Sequence, residues 1–167
     1  MESFREGNMP SNFARLACVL TIFGIVGLLP GSSLAQTTDP LVGTWNIDVT
    51  ITGGCTSSCK YIGVIVFDEG NTVVEQRGTA VEYSGLGYVD RTALGKWWRS
   101  TAGYDFKAKN FVFNSTTGEL SATITGTSGL TLGPNLESFR GSGTAGIYNT
   151  SGTLIASETF TITGTRF

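Results

Sequence analysis

The sequence contains no histidine, which removes the usual general base, the commonest metal ligand and both the Ser-His and Cys-His catalytic pairs. Any chemistry has to run on carboxylates, tyrosine, lysine, arginine or backbone groups. Charge is also sparse. Only 14% of the 167 residues are charged, and 11 basic against 13 acidic side chains leave a net charge of −2. The basic residues are scattered singly, so the continuous positive face that a phosphate backbone needs is missing, and no nucleic-acid partner is expected. Cysteine is limited to three residues, too few for a zinc site without histidine, so neither metal nor cofactor is expected. No apolar run reaches the roughly 20 residues of a transmembrane helix.

The longest apolar-rich run covers residues 16–29, LACVLTIFGIVGLL, uncharged throughout, between Arg15 and Pro30, and is followed by Ser33-Leu34-Ala35. That pattern is a secretory signal peptide with a small-x-small cleavage site after Ala35. Glu2 and Glu6 are unusual in a region that should be positive, and Met9 offers an alternative start that would omit both. Cys18 precedes most of the apolar run rather than following it, which argues against a lipoprotein. The expected organisation is a signal peptide over 1–35 and a single domain over 36–167, secreted or periplasmic.

The remaining 132 residues contain 23 threonines and 19 glycines. Threonine suits strands and glycine suits turns, and no window holds a sustained 3.6-residue apolar period, so the domain reads as all-β. Residues 42–52 alternate, with Trp45, Ile47, Val49 and Ile51 in one phase and Thr44, Asn46, Asp48 and Thr50 in the other. Seven more strands are expected over 61–67, 72–78, 95–101, 104–114, 119–132, 136–150 and 153–163, parted by turn signals such as Asp68-Glu69-Gly70-Asn71 and Gly133-Pro134-Asn135. An apparent phase switch from Tyr104, Phe106 and Ala108 to Phe111 and Phe113 predicts a bulge near Lys109-Asn110. Eight strands in a meander close into an up-and-down antiparallel barrel, because closure removes both unpaired edges. One rim would carry the cysteine loop and the long stretch 79–95, either a partial lid, a disordered insertion or a hidden strand, and the other rim only tight turns.

Cys55 and Cys59, the two cysteines left after cleavage, stand in Gly-Gly-Cys-Thr-Ser-Ser-Cys-Lys, and an oxidising compartment predicts a disulfide between them. The sequons at Asn114 and Asn149 matter only in a eukaryotic host.

Gly43-Thr44-Trp45, opening the first strand, resembles the Gly-x-Trp signature of the lipocalins and their calycin relatives. Arg166 lies just past the last strand, where such barrels often place an arginine across that tryptophan. A wider resemblance, to bacterial exported lipocalin-like proteins mostly without assigned function, rests on LVGTWNIDVTI, the cysteine loop, GNTVVEQRG, LGKWW, YDFKAKNFVF and TFTITGTRF. It implies a calycin-type barrel with Trp45 and Arg166 meeting at its base. Trp97-Trp98 doubles a tryptophan expected singly, which leaves open which ring points inward.

Three charged residues share phases with apolar ones: Glu75 with Val73, Arg99 with Trp97, and Glu158 with Leu154, Ala156, Phe160 and Ile162. Desolvating a lone charge costs several kcal/mol, about enough to force pairing or a pKa shift. Pairing the centres of adjacent strands puts Glu75 opposite Trp98 or Arg99, as a structural ion pair or a pair that polarises a ligand. Glu158 has no evident partner unless Arg99 or Lys96 reaches it, which predicts a raised pKa. Gly141, Gly143 and Ala145 share a phase with Phe139 and Ile147, leaving either room for a pocket or relief for a coiled strand.

The leading expectation is an exported barrel binding a small apolar or amphipathic molecule, with Ile47, Val49, Trp97, Arg99, Phe106, Phe113, Ile124, Phe139 and Phe160 against it. The alternatives are a cofactor-free cyclase or isomerase using Glu158, Glu75 and Tyr104 as acid or base, and a periplasmic protease inhibitor with an arm over residues 36–40.

Overall fold

A computed structural model describes residues 38–52, 59–79, 81–83 and 85–167. The expected signal peptide, Met9, Cys18 and Cys55 lie outside them, as does the cysteine loop between its first and last residues. Among the described residues there are ten strands and no helix. They are β1 (Gly43–Thr52), β2 (Lys60–Phe67), β3 (Thr72–Arg77), β4 (Glu82–Tyr83), β5 (Gly87–Val89), β6 (Thr92–Ser100), β7 (Gly103–Phe113), β8 (Leu120–Leu132), β9 (Ser138–Asn149) and β10 (Leu154–Arg166).

Eight of these form a closed antiparallel barrel in the order β1-β2-β3-β6-β7-β8-β9-β10, with β10 pairing back onto β1. Closure follows from the threonine-rich alternation: every long strand has one apolar face and needs a neighbour on each edge. The base rim carries the turns at 68–71 and 101–102, the connection at 133–137, and the C-terminus. In the first of these turns Asn71 adopts φ 63°, while Asp68 accepts the Thr72 N–H at 2.7 Å, the self-bonding that makes Asx residues turn formers.

The stretch 79–95 hides two short strands instead of a lid without structure. β4 and β5 form a hairpin, and β5 joins the mouth end of β7 through Tyr88↔Phe113 and Val89↔Val112. Ser121 Oγ donates to Leu86 O at 2.6 Å, which fastens the hairpin tip to β8. β6 therefore starts at Thr92, earlier than alternation alone predicts, and this changes the register: Glu75 lies opposite Ala93, not Trp98 or Arg99.

The expected bulge at Lys109-Asn110 is absent. β7 alternates without interruption, burying Tyr104, Phe106, Ala108, Asn110 and Val112, and the register shift comes later, between Val112 and Phe113. Asn110 can stay on the inner face because its amide is bonded on both sides, which leaves Phe111 on the outer wall and Phe113 half-buried against Tyr88, ring centroids 6.1 Å apart. β10 also departs from expectation. Its register shifts between Leu154 and Ala156, and both of these residues are exposed, so only Glu158, Phe160 and Ile162 of that series face inward.

The lower half of the barrel is solid. Phe67 stands at its centre, 6.2 Å from each of the Trp97, Phe106 and Phe139 rings in edge-on contacts, and Phe139 meets Trp45 at 5.1 Å. Such pairs each contribute about 0.5–1.5 kcal/mol beyond area burial. Of the doubled tryptophans, Trp97 is the inner one, its Nε1 donating to Asp68 O at 3.0 Å, and Trp98 is 43% exposed.

Below these rings Leu41 is fully buried, and Trp45 Nε1 donates to Leu41 O at 2.9 Å. Arg166 pairs with Trp45 across β1 and β10 and lays its guanidinium 4.0 Å from the ring centroid. The same guanidinium donates to Val42 O at 2.8 Å and Pro40 O at 2.5 Å, tying the incoming chain to the last strand.

Candidate functional site

Above the ring layer the barrel opens into a cavity of about 50 Å³. Its apolar wall comes from β1 (Val49, Ile51), β7 (Phe106, Ala108), β8 (Ile124, Gly126), β9 (Ala145) and β10 (Phe160, Ile162). Its polar lining comes from Tyr61 on β2, Glu75 and Arg77 on β3, Tyr83 on β4, Asn110 on β7 and Glu158 on β10.

The polar residues form two connected groups. Glu75 Oε1 accepts from Arg77 Nε and from the Tyr61 hydroxyl, each at 2.9 Å. Arg77 Nη2 donates to Asn110 Oδ1 at 2.8 Å, and Asn110 Nδ2 donates to Thr92 O at 3.0 Å. The Arg77 guanidinium also lies 4.7 Å from the Tyr61 ring centroid. Alternation places Glu75 and Arg77 on the same face of β3, two residues apart, so a single strand supplies both halves of a buried ion pair. Burial raises the Tyr61 hydroxyl pKa, and the neighbouring Glu75 carboxylate raises it further.

The second group joins the hairpin to the opposite wall: the Tyr83 hydroxyl donates to Glu158 Oε1. Glu158 is 6% exposed, and its Oε2 is the single buried side-chain polar atom without a partner among the described residues. Burial pushes the Glu158 carboxyl above its ordinary value, while the Tyr83 hydrogen bond and the Arg77 charge pull it partway down. The net direction is upward. Such an orphan costs about 1–3 kcal/mol and calls for a reason.

Two sequence-predicted residues belong elsewhere. Arg99 is 65% exposed in its side chain and binds Asp39 Oδ2 at 2.6 Å at the base, so it neither pairs with Glu75 nor faces the cavity. Partial burial works against ionisation of Asp39, but the Leu41 N–H, Arg99 and Tyr104 outweigh it and hold the carboxyl below its usual range. Tyr104 belongs to this base cluster, its ring 5.9 Å from Trp97 and 5.6 Å from the Arg99 guanidinium, and burial with the Asp39 contact pushes its hydroxyl up to about 12. It is remote from Glu158 and Glu75 in role as well as in contacts. Lys96 points outward.

Of the remaining residues, Val49, Phe106, Ile124 and Phe160 line the cavity, whereas Ile47, Trp97 and Phe139 lie in the core without lining it. Phe113 is on the outer side. The small residues of β9 divide in the same way. A Cβ at Gly143 would stand 2.7 Å from Phe160 Cζ and one at Gly141 2.6 Å from Leu130 Cδ2, so these two make room for neighbouring side chains, while Ala145 lines the cavity. Asn114 and Asn149 both accept hydrogen bonds from the backbone of their own turns.

Sequence reasoning missed Arg77, Tyr61, Tyr83 and Asn110. The pattern Val73, Glu75, Arg77 on one strand face was the available signal for Arg77; nothing local marks Tyr83, which meets Glu158 from 75 positions away. Neither a scan of protein-family models nor a search of curated proteins finds a match to this chain.

Proposed function

We propose that this chain is an exported barrel that binds a small amphipathic molecule, holding one end of it in the cavity below the β4–β5 hairpin. The observation that carries the reading is the cavity itself: an apolar wall converging on a buried carboxyl oxygen that no group among the described residues satisfies. Ligand pockets commonly combine an apolar lining with a few directed polar groups. A volume of about 50 Å³ is room for a few waters or an end group of a few heavy atoms, against about 300–1,000 Å³ for a whole drug-sized ligand. The body of the bound molecule therefore extends past Phe160 and the hairpin toward the mouth. The leader-like segment 16–29 and the resemblance of the strand motifs to exported lipocalin-like proteins support the same reading.

The cyclase or isomerase alternative has an acid in Glu158 but lacks a second free group beside it. Glu75 is committed to Tyr61 and Arg77, and Tyr104 sits at the base. The inhibitor alternative needs a free arm, yet Asp39 and Pro40 are tied down by Arg99 and Arg166.

The test uses the neutral fluorophore N-phenyl-1-naphthylamine. Saturable one-to-one binding is expected, weakened by Gly126→Val, which adds side chain to the cavity wall where a Cβ meets only the Phe160 ring at 3.7 Å. Non-saturable binding, or binding indifferent to Gly126→Val in a folded variant, would refute the reading.

A further inference from the structure

We propose that Glu158 Oε2 anchors the polar end of the bound molecule and that this end is a neutral carbonyl group, as in a ketone, aldehyde or ester. The inference rests on the binding function proposed above and names the chemistry of that same site. Oε1 of Glu158 is taken by the Tyr83 hydroxyl, and Oε2 is buried at the cavity wall with no partner among the described residues. The described protein has satisfied its other buried side-chain polar atoms, so Oε2 is where an incoming group gains most.

Charge excludes the other classes of end group. The titratable groups lining the cavity with Glu158 on β10 are Tyr83 on β4, Arg77 and Glu75 on β3, and Tyr61 on β2; β1, β7, β8 and β9 present uncharged residues there. With Glu158 protonated, an ammonium entering this space gains no counter-charge from it and meets the Arg77 guanidinium, and a carboxylate meets Glu75. Either would be desolvated beside a like charge. A neutral group avoids both costs.

The direction of the hydrogen bond follows from the Tyr83 contact. With Oε1 already accepting a proton from Tyr83, a protonated Glu158 carries its own proton on Oε2 and donates into the cavity. Burial favours that protonated form. A carbonyl oxygen accepts this bond and brings no proton of its own to be satisfied. A hydroxyl accepts it too, but its O–H must then find an acceptor among mostly apolar wall residues.

The experiment measures displacement of N-phenyl-1-naphthylamine by 2-octanone, 2-octanol, octylammonium and octane, from acid to alkaline pH. The wild type is expected to bind 2-octanone roughly tenfold more tightly than 2-octanol or octane, the worth of about one hydrogen bond. That advantage should fade as pH rises and Glu158 loses its proton. Glu158→Leu should erase it. Glu158→Gln, which retains an N–H donor, should keep it and make it independent of pH. Octylammonium binding tightest, or a ketone preference that persists in Glu158→Leu, would overturn the proposal. Equal affinity for all four probes would overturn it while leaving the binding function standing; failure of the fluorophore and all four probes to bind would remove both. Should either variant fail to fold, the ranking of the probes on the wild-type protein and its pH dependence still decide.

Discussion

Replacing Arg77 with methionine keeps most of the side-chain length and removes the only cation that lines the cavity among the described residues. The loss includes the 2.9 Å bond to Glu75, the 2.8 Å bond to Asn110 and the stack 4.7 Å above Tyr61. Charge-assisted hydrogen bonds contribute about 1.5–3 kcal/mol each, and a desolvated cation–π contact about 2 kcal/mol. Against this, the guanidinium no longer has to be stripped of water, which returns several kcal/mol. What decides the sign is the group left behind: Glu75, whose side chain is 6% exposed, keeps a single bond from the Tyr61 hydroxyl and becomes an uncompensated buried charge. Breaking a buried pair in this way costs about 3–5 kcal/mol, a large share of the roughly 5–15 kcal/mol that holds a domain together.

Urea unfolding at neutral pH, followed by far-ultraviolet circular dichroism, reads this directly. With a slope of about 2 kcal/mol per molar, the midpoint should fall by roughly 2 M. Glu75→Gln in the same chain should recover much of the loss, giving a coupling of about 2 kcal/mol or more in the double-mutant cycle. The pH profile supplies an independent check. A carboxyl whose pKa is raised by folding stabilises the folded state fully below its unfolded value, and stability declines as pH rises through the folded value. Glu158 is such a group, and Arg77 is one of the two influences holding its rise in check. The decline should therefore extend to higher pH in Arg77→Met than in the wild type. A single-variant loss below about 1 kcal/mol, or additive behaviour in the cycle, would refute the account of the cavity as a charge-coupled network.

At the base, Arg166→Ala should cost about 2–3 kcal/mol by loss of the stack on Trp45 and the bonds to Val42 and Pro40; unchanged urea stability would show that the latch carries no weight. Gly143→Ala should cost about 2–3 kcal/mol, because its Cβ would stand 2.1 Å from Thr127 O, a backbone atom in a paired strand. Gly126→Ala, whose Cβ would meet only the Phe160 ring at 3.7 Å, should change stability by less than about 1 kcal/mol, and the reverse order in thermal melts would be inconsistent with the packing described. In protein produced in an oxidising compartment, Cys55 and Cys59 should resist alkylation until a reductant is added; ready alkylation without one would rule out the disulfide expected there.

The alternation of residues 42–52 was enough to place β1 and its buried face, and the turn residues placed the long strands to within a few positions. Register was not legible in the same way. A strand beginning at Thr92 instead of Gly95 moves the partner of Glu75 from Trp98 or Arg99 to Ala93, and a period-two pattern holds no information about where pairing begins. β4 and β5, two and three residues long, are too short to show a period at all. Asn110 was hidden for a different reason: with a polar residue in the inner phase and phenylalanines at 111 and 113, the apolar-inside rule predicts a bulge where the strand runs straight.

That rule fails in the mouth half of the barrel and holds in the base half, and the division has a physical basis. The base rings are held by ring contacts, with the two indole N–H groups donating to backbone carbonyls, so apolar periodicity reports them. Beyond the Glu75–Arg77 pair on one strand, the mouth residues are satisfied by partners distant in the chain: Arg77 and Asn110 are 33 positions apart, and Tyr83 and Glu158 are 75. Each looks like an error of patterning when read locally and becomes acceptable only after closure brings β3, β4, β7 and β10 around one space. The ring layer of Trp45, Phe67, Trp97 and Phe139 stabilises the barrel independently of that space, which lets the upper half retain an incompletely satisfied carboxyl. A barrel selected for stability alone would replace Glu158 with leucine and fill the cavity; an unpartnered oxygen kept at its wall is the feature that an arriving ligand group would complete.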